Sequence, residues 1–313
     1  MKKISFLLIV LIISACEKEI FPELDDSFQV VSIEAMITDQ GTKQQVFVTR
    51  SQPYFENQFP PMVTGAEVYI TDQDNVVYSF VEGNNSYEWI SPDGNPFGKI
   101  GDSYVLTVIV NGQTYVSFSQ MNPVPPIDSI TWEFDVKNDF IVEDFYTAQF
   151  FARDLVGPGN AYWIKAYKNG AFLNQPSEIN VAFDAGFSQG GNVDGVNFIQ
   201  PIRQAINPFD LNQNNQVLAP YLPGDSVSVE IYSISQEMFF FLLQVQNQIN
   251  RPGGFGELFA SPITNVPTNI VNLDENSDHR PVGYFNVSAV SSSGSRLTEE
   301  KAADARIKYE NGF

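Results

Sequence analysis

The chain is poor in the residues that most often carry chemistry, since it has one cysteine, Cys16, and one histidine, His279. A single cysteine excludes a disulfide framework within the chain and argues against thiol catalysis. A histidine-based zinc site or a hydrolase triad would need partners drawn from acids alone, and the H-E-x-x-H spacing does not occur. The sequence therefore predicts an exposed loop histidine beside Arg280 and a protein that is not an enzyme.

Positive charge is also scarce. The chain has 17 Lys and Arg against 37 Asp and Glu, a formal net charge of -20. Loss of residues 1–15 would remove two lysines and no acid, leaving 15 basic and 37 acidic residues and a net charge of -22. Such a chain repels phosphate backbones and anionic lipid headgroups. Nucleic acid is therefore excluded as a partner.

The hydrophobic run at residues 6–13 is too short to span a bilayer, and two lysines precede it. This pattern predicts a secretory signal peptide over residues 1–15. Ile13-Ser-Ala-Cys16 ends the run and resembles a bacterial lipobox, in which cleavage before the cysteine leaves an amino-terminal residue that carries acyl chains. An ordinary cleavage site with an incidental cysteine is the alternative. We predict lipidation of Cys16 and a tether over residues 16–28.

Three charged residues, Glu17, Lys18 and Glu19, follow the cysteine directly. They resemble the lysine-plus-acidic tag that sends lipoproteins of Bacteroidota to the cell surface. A solvated charged tether explains them equally well, because short charge runs are usually exposed linkers. Both interpretations keep the protein on a membrane surface, since several acyl chains anchor a protein stably.

Composition and strand patterns predict a mainly β fold with two β-sandwich domains. The chain is 43% hydrophobic and has 19 Pro and 21 Gly between short alternating segments, and 313 residues exceed what one core usually supports. The predicted N-terminal sandwich covers residues 29–121 and resembles immunoglobulin-like or prealbumin-like modules. A Pro-rich linker at 122–126 should restrict the orientation of the two domains. The C-terminal domain covers residues 127–313.

One long helix, at about residues 234–250, is predicted in the second domain. It follows a strand at residues 225–232, with Ser233 as its cap and Gln236 closing a capping box. A return strand is expected at residues 282–289. The apolar positions at helical spacing should pack on the core, although a partner could also bind them. These positions are Met238, Leu242, Val245 and Ile249.

Two acidic loops are candidate calcium sites. Asp72 and Asp74 lack the remaining ligands and the glycine of a dedicated calcium loop, so a turn explains them better. The second set lacks a downstream bidentate glutamate, and a solvated turn is again favoured. This weak candidate consists of Asp274, Asn276 and Asp278. Adjacent acids such as Glu143-Asp144 point to opposite faces of a strand and cannot flank one glycosidic bond. No cofactor is predicted.

Several short motifs occur in one order along the chain. They are Pro125-Pro-Ile-Asp-Ser-Ile130, Asp154 followed by Asn160-Ala-Tyr-Trp163, Gly224-Asp-Ser-Val227, Pro267-Thr-Asn-Ile270 and Gly283-Tyr-Phe285. Together they resemble a family of Bacteroidota lipoproteins with the domain of unknown function four-two-four-nine. The chain departs from that pattern in the longer, more acidic loop at residues 272–280 and in Pro281-Val282.

The resemblance implies an outer-membrane lipoprotein, often encoded beside a TonB-dependent transporter, with no established activity. We therefore expect a non-enzymatic accessory or binding component of a TonB-dependent uptake system. Its lipid anchor would hold it at the outer membrane, at the cell surface, beside a barrel partner. A surface adhesin or structural module is the alternative. It would bind protein or glycan through the Asn-, Gln- and Gly-rich loops at residues 174–223, because exposed loops commonly carry recognition.

Overall fold

A computed structural model of the protein describes residues 29–52, 56, 58–191, 193–250 and 266–312. Cys16, Glu17, Lys18 and Glu19 and the predicted signal peptide lie outside the described residues. Within them the protein is mainly β, as predicted, with two sandwich-like bodies and a long helix in the second. No helix of the described part is long and apolar enough to cross a bilayer.

The first body is a nine-stranded sheet in the order β14-β7-β6-β3-β4-β5-β2-β1-β15. Buried and exposed positions alternate along the strand Lys43–Arg50, as a sheet with one buried face requires. The hairpin predicted at Asn111-Gly112 is confirmed, since β6 and β7 pair directly around it. The strands are β1 (Val31–Thr38), β2 (Lys43–Arg50), β3 (Glu67–Asp72), β4 (Val77–Glu82), β5 (Tyr87–Ile90), β6 (Ser103–Val110), β7 (Gln113–Gln120), β14 (Val271–Asn272) and β15 (Val282–Ser288).

This sheet curls until its distant strands meet. β15 pairs in parallel with β1, and the Val287 amide donates to Ser119 Oγ of β7 at 2.9 Å. The curl encloses a core in which Ile33, Phe97 and Phe285 are fully buried. Closure of the sheet therefore depends on a segment more than 150 residues further along the chain.

The second body is a five-stranded sheet covered by a two-stranded hairpin. β10 and β13 form its centre, β16 pairs with β13 at one edge, and β11 and β12 pair with β10; in the hairpin, β8 pairs with β9. Trp132 of the hairpin donates from its indole to Ser295 Oγ of β16 at 2.9 Å. The strands are β8 (Ile127–Asp135), β9 (Phe145–Ala152), β10 (Ala161–Lys168), β11 (Ala171–Phe172), β12 (Asn180–Phe183), β13 (Ser226–Ile234) and β16 (Val290–Arg296).

Among the described residues, three α-helices lie on the second body: α1 (Gln200–Gln204), α2 (Gln236–Ile249) and α3 (Glu299–Glu310). α2 is the predicted long helix, but its cap is Ser235, whose side chain accepts from the Met238 amide. The predicted cap, Ser233, instead lies within β13. The sequence pattern missed α3, whose buried face consists only of Ala302 and Ala305, too small a stripe to stand out.

The apolar face of α2 is shorter than predicted. Met238, Phe239 and Leu242 are buried, whereas Ile249 is 51% exposed and Phe240 is 46% exposed. The buried residues contact both β12 of the second body and Tyr284 of β15. α2 therefore lies where the two bodies meet.

The strand that returns beside β13 is also different from the predicted one. β16 pairs antiparallel with β13, while residues 282–288 form β15 in the first sheet. The expected return strand was therefore placed too early, because β15 and β16 follow each other almost without a gap. The division at residues 122–126 stays a prediction, with the added finding that β14 and β15 belong to the first sheet.

The linker segment packs closely between the two bodies. Val124 contacts the core of each body, and the Pro125 carbonyl accepts from Ser291 Oγ at 2.6 Å. Ser233 Oγ donates to the Asn122 carbonyl at 2.6 Å. These contacts restrict the mutual orientation of the bodies.

Candidate functional site

A cavity of about 560 Å³ lies at the junction of the two bodies. This size falls within the range of small-molecule sites, about 300–1,000 Å³. Its wall is assembled from separate parts of the chain: residues 118–120 of β7, residues 122–123, residues 158–162 at the start of β10, residues 234–237 between β13 and α2, Asn269 and Tyr284. We call it the junction cavity. It can exist only when both bodies are in place.

The α2 side of the junction cavity is held by short polar contacts. The Ser235 amide donates to Asn286 Oδ1 of β15 at 3.1 Å, which fixes the start of α2 against the first sheet. Tyr284 is 5% exposed, and its ring lies 4.8 Å from that of Phe241. Burial raises the pKa of Tyr284 to about 12, so its hydroxyl stays protonated at neutral pH.

The opposite wall is a turn whose backbone is held by a buried carboxylate. The amides of Gly159 and Asn160 donate to Asp184 Oδ1 at 2.7 and 3.0 Å. The Gly159 carbonyl in turn accepts from Gln236 Nε2 of α2 at 3.0 Å. The turn and the helix are thus linked across one edge of the cavity.

Behind this turn, three carboxylates come together: those of Asp154, Asp184 and Asp194 each offer an oxygen within 4.8 Å of the others. Tyr162 donates its hydroxyl to Asp154 Oδ1 at 2.6 Å, and the Gly195 amide donates to Asp154 Oδ2 at 3.0 Å. Burial raises the pKa of Asp154, the two hydrogen bonds oppose that shift, and the neighbouring carboxylates add to it.

An all-carboxylate set suits a hard cation such as Ca²⁺. Each of the three carboxylates nevertheless accepts a hydrogen bond from the backbone or from Tyr162. These bonds explain the cluster by a structural role, since they connect neighbouring loops. Sequence reasoning missed the cluster. Asp184 and Asp194 lie far from Asp154 along the chain, in a segment without periodicity, and no local spacing relates the three.

The calcium-site candidates and the histidine that the sequence predicts lie outside the junction cavity and the aspartate cluster. Asp72 Oδ1 accepts from the amides of Asp74 and Val76 at 2.9 Å, so the predicted turn is confirmed. Asp274 Oδ1 accepts from the Asn276 amide at 3.1 Å in an exposed turn between β14 and β15. Asp278 and His279 are exposed in that same turn, as predicted for His279. None of these residues lines the junction cavity.

The loops at residues 174–223 are more ordered than their composition indicates. They contain a 3₁₀ turn at Pro176–Glu178, β12 and α1, and they place Phe198, Ile202 and Tyr221 in the core of the second body. Phe187, Phe209 and Leu211 are about half exposed. This segment therefore builds the core and also presents apolar side chains at the surface.

A family model described as a domain of unknown function (DUF4249) matches residues 17–293. The chain belongs to this family. A search of curated proteins gave no match for it.

The Pro267-Thr-Asn-Ile270 motif lies where β15 meets the rest of the curled sheet, a place that we call the seam. Asn269 Nδ2 donates to the Phe285 carbonyl at 2.7 Å and its Oδ1 accepts from the Phe285 amide at 3.0 Å, as a neighbouring strand would. The Asn269 carbonyl accepts from Ser117 Oγ of β7 at 2.9 Å. Thr268 Oγ1 donates to the Gly283 carbonyl at 2.7 Å. The motif therefore joins β7 to β15.

Gly283, in the Gly283-Tyr-Phe285 motif, lets β15 approach β1. Its φ is +101°, and a Cβ at this position would collide with the backbone of Ile33. Only glycine fits both restrictions. In the Gly224-Asp-Ser-Val227 motif, Asp225 accepts from Asn169 Nδ2 at 2.7 Å and from the Leu222 amide at 2.9 Å. These contacts show how the family motifs hold the fold together.

Proposed function

We propose that this protein is a lipid-anchored, non-enzymatic binding component of a TonB-dependent uptake system at the outer membrane. The single observation that carries the proposal is the position of Cys16. It is the only cysteine, it ends a lipobox-like signal, and the family match begins at the next residue. A cysteine placed there has a clear use as the lipid attachment point.

A binding role agrees with the residues around the junction cavity. Its wall has hydroxyl, amide and aromatic groups, and the one histidine lies on the exposed β14–β15 turn. Among the described residues that line the cavity, Glu237 is the only charged side chain. The other titratable side chains in this described wall are Tyr162 and Tyr284, and burial raises the pKa of both, so neither acts as a base at neutral pH. We therefore propose that the cavity binds its ligand without converting it.

The anchor is tested with Cys16→Ala, compared with Glu19→Gln as a control that keeps the cysteine. We expect Cys16→Ala to abolish incorporation of labelled palmitate and to move the protein out of the sedimenting membrane fraction. Because multiple acyl chains anchor a protein far more strongly than one, the loss should be nearly complete. Equal sedimentation of both variants would refute the anchor.

The transport partner is tested by co-purification from gently solubilised outer membranes. We expect an outer-membrane barrel to accompany the full-length protein. Recovery of the protein alone, under conditions in which a known barrel–lipoprotein pair stays associated, would contradict the uptake role. It would leave the anchor untouched.

A surface adhesin is the second candidate, because the apolar side chains of Phe187, Phe209 and Leu211 are about half exposed on the loops at residues 174–223. Replacing all three by serine should then abolish adhesion and leave uptake unchanged. Loss of uptake with unchanged adhesion would reject this alternative.

A further inference from the structure

The junction cavity contains several side-chain oxygen atoms that no described residue uses. The side-chain nitrogens of Asn160 and Gln236 donate to backbone carbonyls. Both residues line the cavity, and their side-chain oxygens accept no hydrogen bond from the described residues. The same holds for the side-chain oxygen of Gln120, whose Nε2 donates to the Gly101 carbonyl at 2.9 Å. Each of these side-chain amides is therefore held in place by its nitrogen, and its oxygen is available to a ligand.

Asn122 is the lining residue whose side chain is most available to a ligand. Its carbonyl accepts from Ser233, but its side-chain amide forms no hydrogen bond with the described residues, and it is only partly exposed. An amide offers both donors and an acceptor. A partly buried amide without partners is favourable only when water or a ligand satisfies it.

Charge in the cavity is low and of one sign. Glu237, in the first turn of α2, is the only charged residue among the described lining residues. Without Lys, Arg or His in that lining, nothing compensates the charge of an anionic ligand. The molecule's net charge of -20 also opposes anions. The lining therefore favours a neutral ligand that donates hydrogen bonds.

An aromatic surface lies at the cavity rim. Phe118 is 62% exposed on β7 and is one of the residues that line the cavity. Its exposed ring can be covered by a flat apolar surface, and coverage of an aromatic ring is favourable. Pyranose rings combine such a face, made of C–H groups, with hydroxyls around the edge that match the free amide oxygens.

We propose that the junction cavity binds an uncharged oligosaccharide, with one sugar ring on Phe118 and hydroxyls on Asn122, Gln236 and Glu237. This inference rests on the proposed binding function and names the ligand class for its site. It differs from binding of glycan through the loops at residues 174–223, which do not line the cavity.

The experiment uses the full-length protein in detergent and calorimetric titration with maltoheptaose, laminarihexaose, xylohexaose and mannohexaose. We expect at least one of them to bind with a Kd of about 1 mM or tighter. Phe118→Ala should weaken that binding by about ten-fold or more, because it removes the apolar surface beneath the sugar. Asn122→Ala should weaken it by about five-fold.

Phe140→Ala is the matched control, since Phe140 is also largely exposed but lies on the β8–β9 loop, outside the cavity. Its affinity should equal that of the unmodified protein, and thermal unfolding verifies that every variant is folded. Equal binding by Phe118→Ala and Phe140→Ala would overturn the proposal. So would absence of binding by all four sugars.

Spermidine tests the opposite ligand class. If it binds, if Glu237→Gln abolishes that binding and if no sugar competes, the cavity takes cations and the proposal is wrong. Glu237→Gln should leave sugar binding within about three-fold, because an amide oxygen can still accept a hydroxyl. Membrane sedimentation and barrel co-purification are measured separately, so that failure of sugar binding is distinguished from failure of the proposed uptake role.

Discussion

Two asparagines that line the same cavity have opposite roles. Asn269 uses both side-chain atoms on the backbone of Phe285, whereas the side chain of Asn122 forms no hydrogen bond with the described residues. The first belongs to a family motif and the second to none. The comparison indicates that the motif around Asn269 closes the fold, while Asn122, Gln236 and Glu237, the ligand contacts that we propose, lie outside the family motifs.

The largest effect is expected at Gly283, where the backbone of β15 closely approaches that of β1. In Gly283→Ala, a Cβ would collide with Ile33 and separate β15 from β1, so we expect a loss of more than about 3 kcal/mol of unfolding free energy. Gly112→Ala is the control, because Gly112 also has positive φ but open space around it. That change should cost about 1–2 kcal/mol. Urea unfolding monitored by tryptophan fluorescence measures both.

Similar losses for the two glycine variants would show that backbone conformation alone, and not the approach of β15 to β1, makes Gly283 necessary.

The paired asparagines give the next test. Asn269→Ala leaves the amide and carbonyl of Phe285 without partners, and Phe285 is fully buried, so we expect a loss of about 2–4 kcal/mol. Asn122→Ala should change the unfolding free energy by no more than about 0.5 kcal/mol, because its side chain holds nothing in the described structure. The same urea titrations measure the difference. If the two changes cost the same, the distinction between seam and ligand-facing residues fails.

Much of the fold could be predicted from the sequence, and part of it could not. Alternation and turn dipeptides such as Asn111-Gly112 predicted the strands, because those signals are local. The parallel pairing of β15 with β1 was missed, since it joins residues 250 positions apart and leaves no local pattern. The junction cavity was missed for the same reason. Its wall combines distant segments, and each lining residue is unremarkable in its own neighbourhood.

Two aspartates that tie loops together should respond to pH in opposite directions. Burial raises the pKa of Asp154 above 3.8, so the unfolded chain releases its proton first, and stability falls as pH rises from 3.8 through the folded value. Burial alone would raise the pKa of Asp225, but hydrogen bonds from Asn169 and Leu222 and the charge of Lys168 outweigh it and lower the pKa. Its contribution is present above 3.8 and is lost as pH falls through the folded value.

We therefore expect Asp154→Asn to reduce the loss of stability on raising pH above about 4, and Asp225→Asn to reduce the loss on lowering pH below about 4. Urea unfolding at pH values between about 3 and 7 measures both slopes. The same change of slope in both variants would contradict the assignment of opposite shifts.

The smallest expected effect separates the two serines at the start of α2. Ser235 accepts from the Met238 amide at 3.1 Å, whereas Ser233 donates to the Asn122 carbonyl and accepts from the Ala289 amide at 3.0 Å. Ser235→Ala should cost about 1 kcal/mol and speed hydrogen exchange at the Met238 amide, which loses its cap. Ser233→Ala should leave exchange at Met238 unchanged and speed it at Ala289, because that serine joins the two bodies. Faster exchange at Met238 in Ser233→Ala would instead restore the capping role that the sequence pattern gave to Ser233.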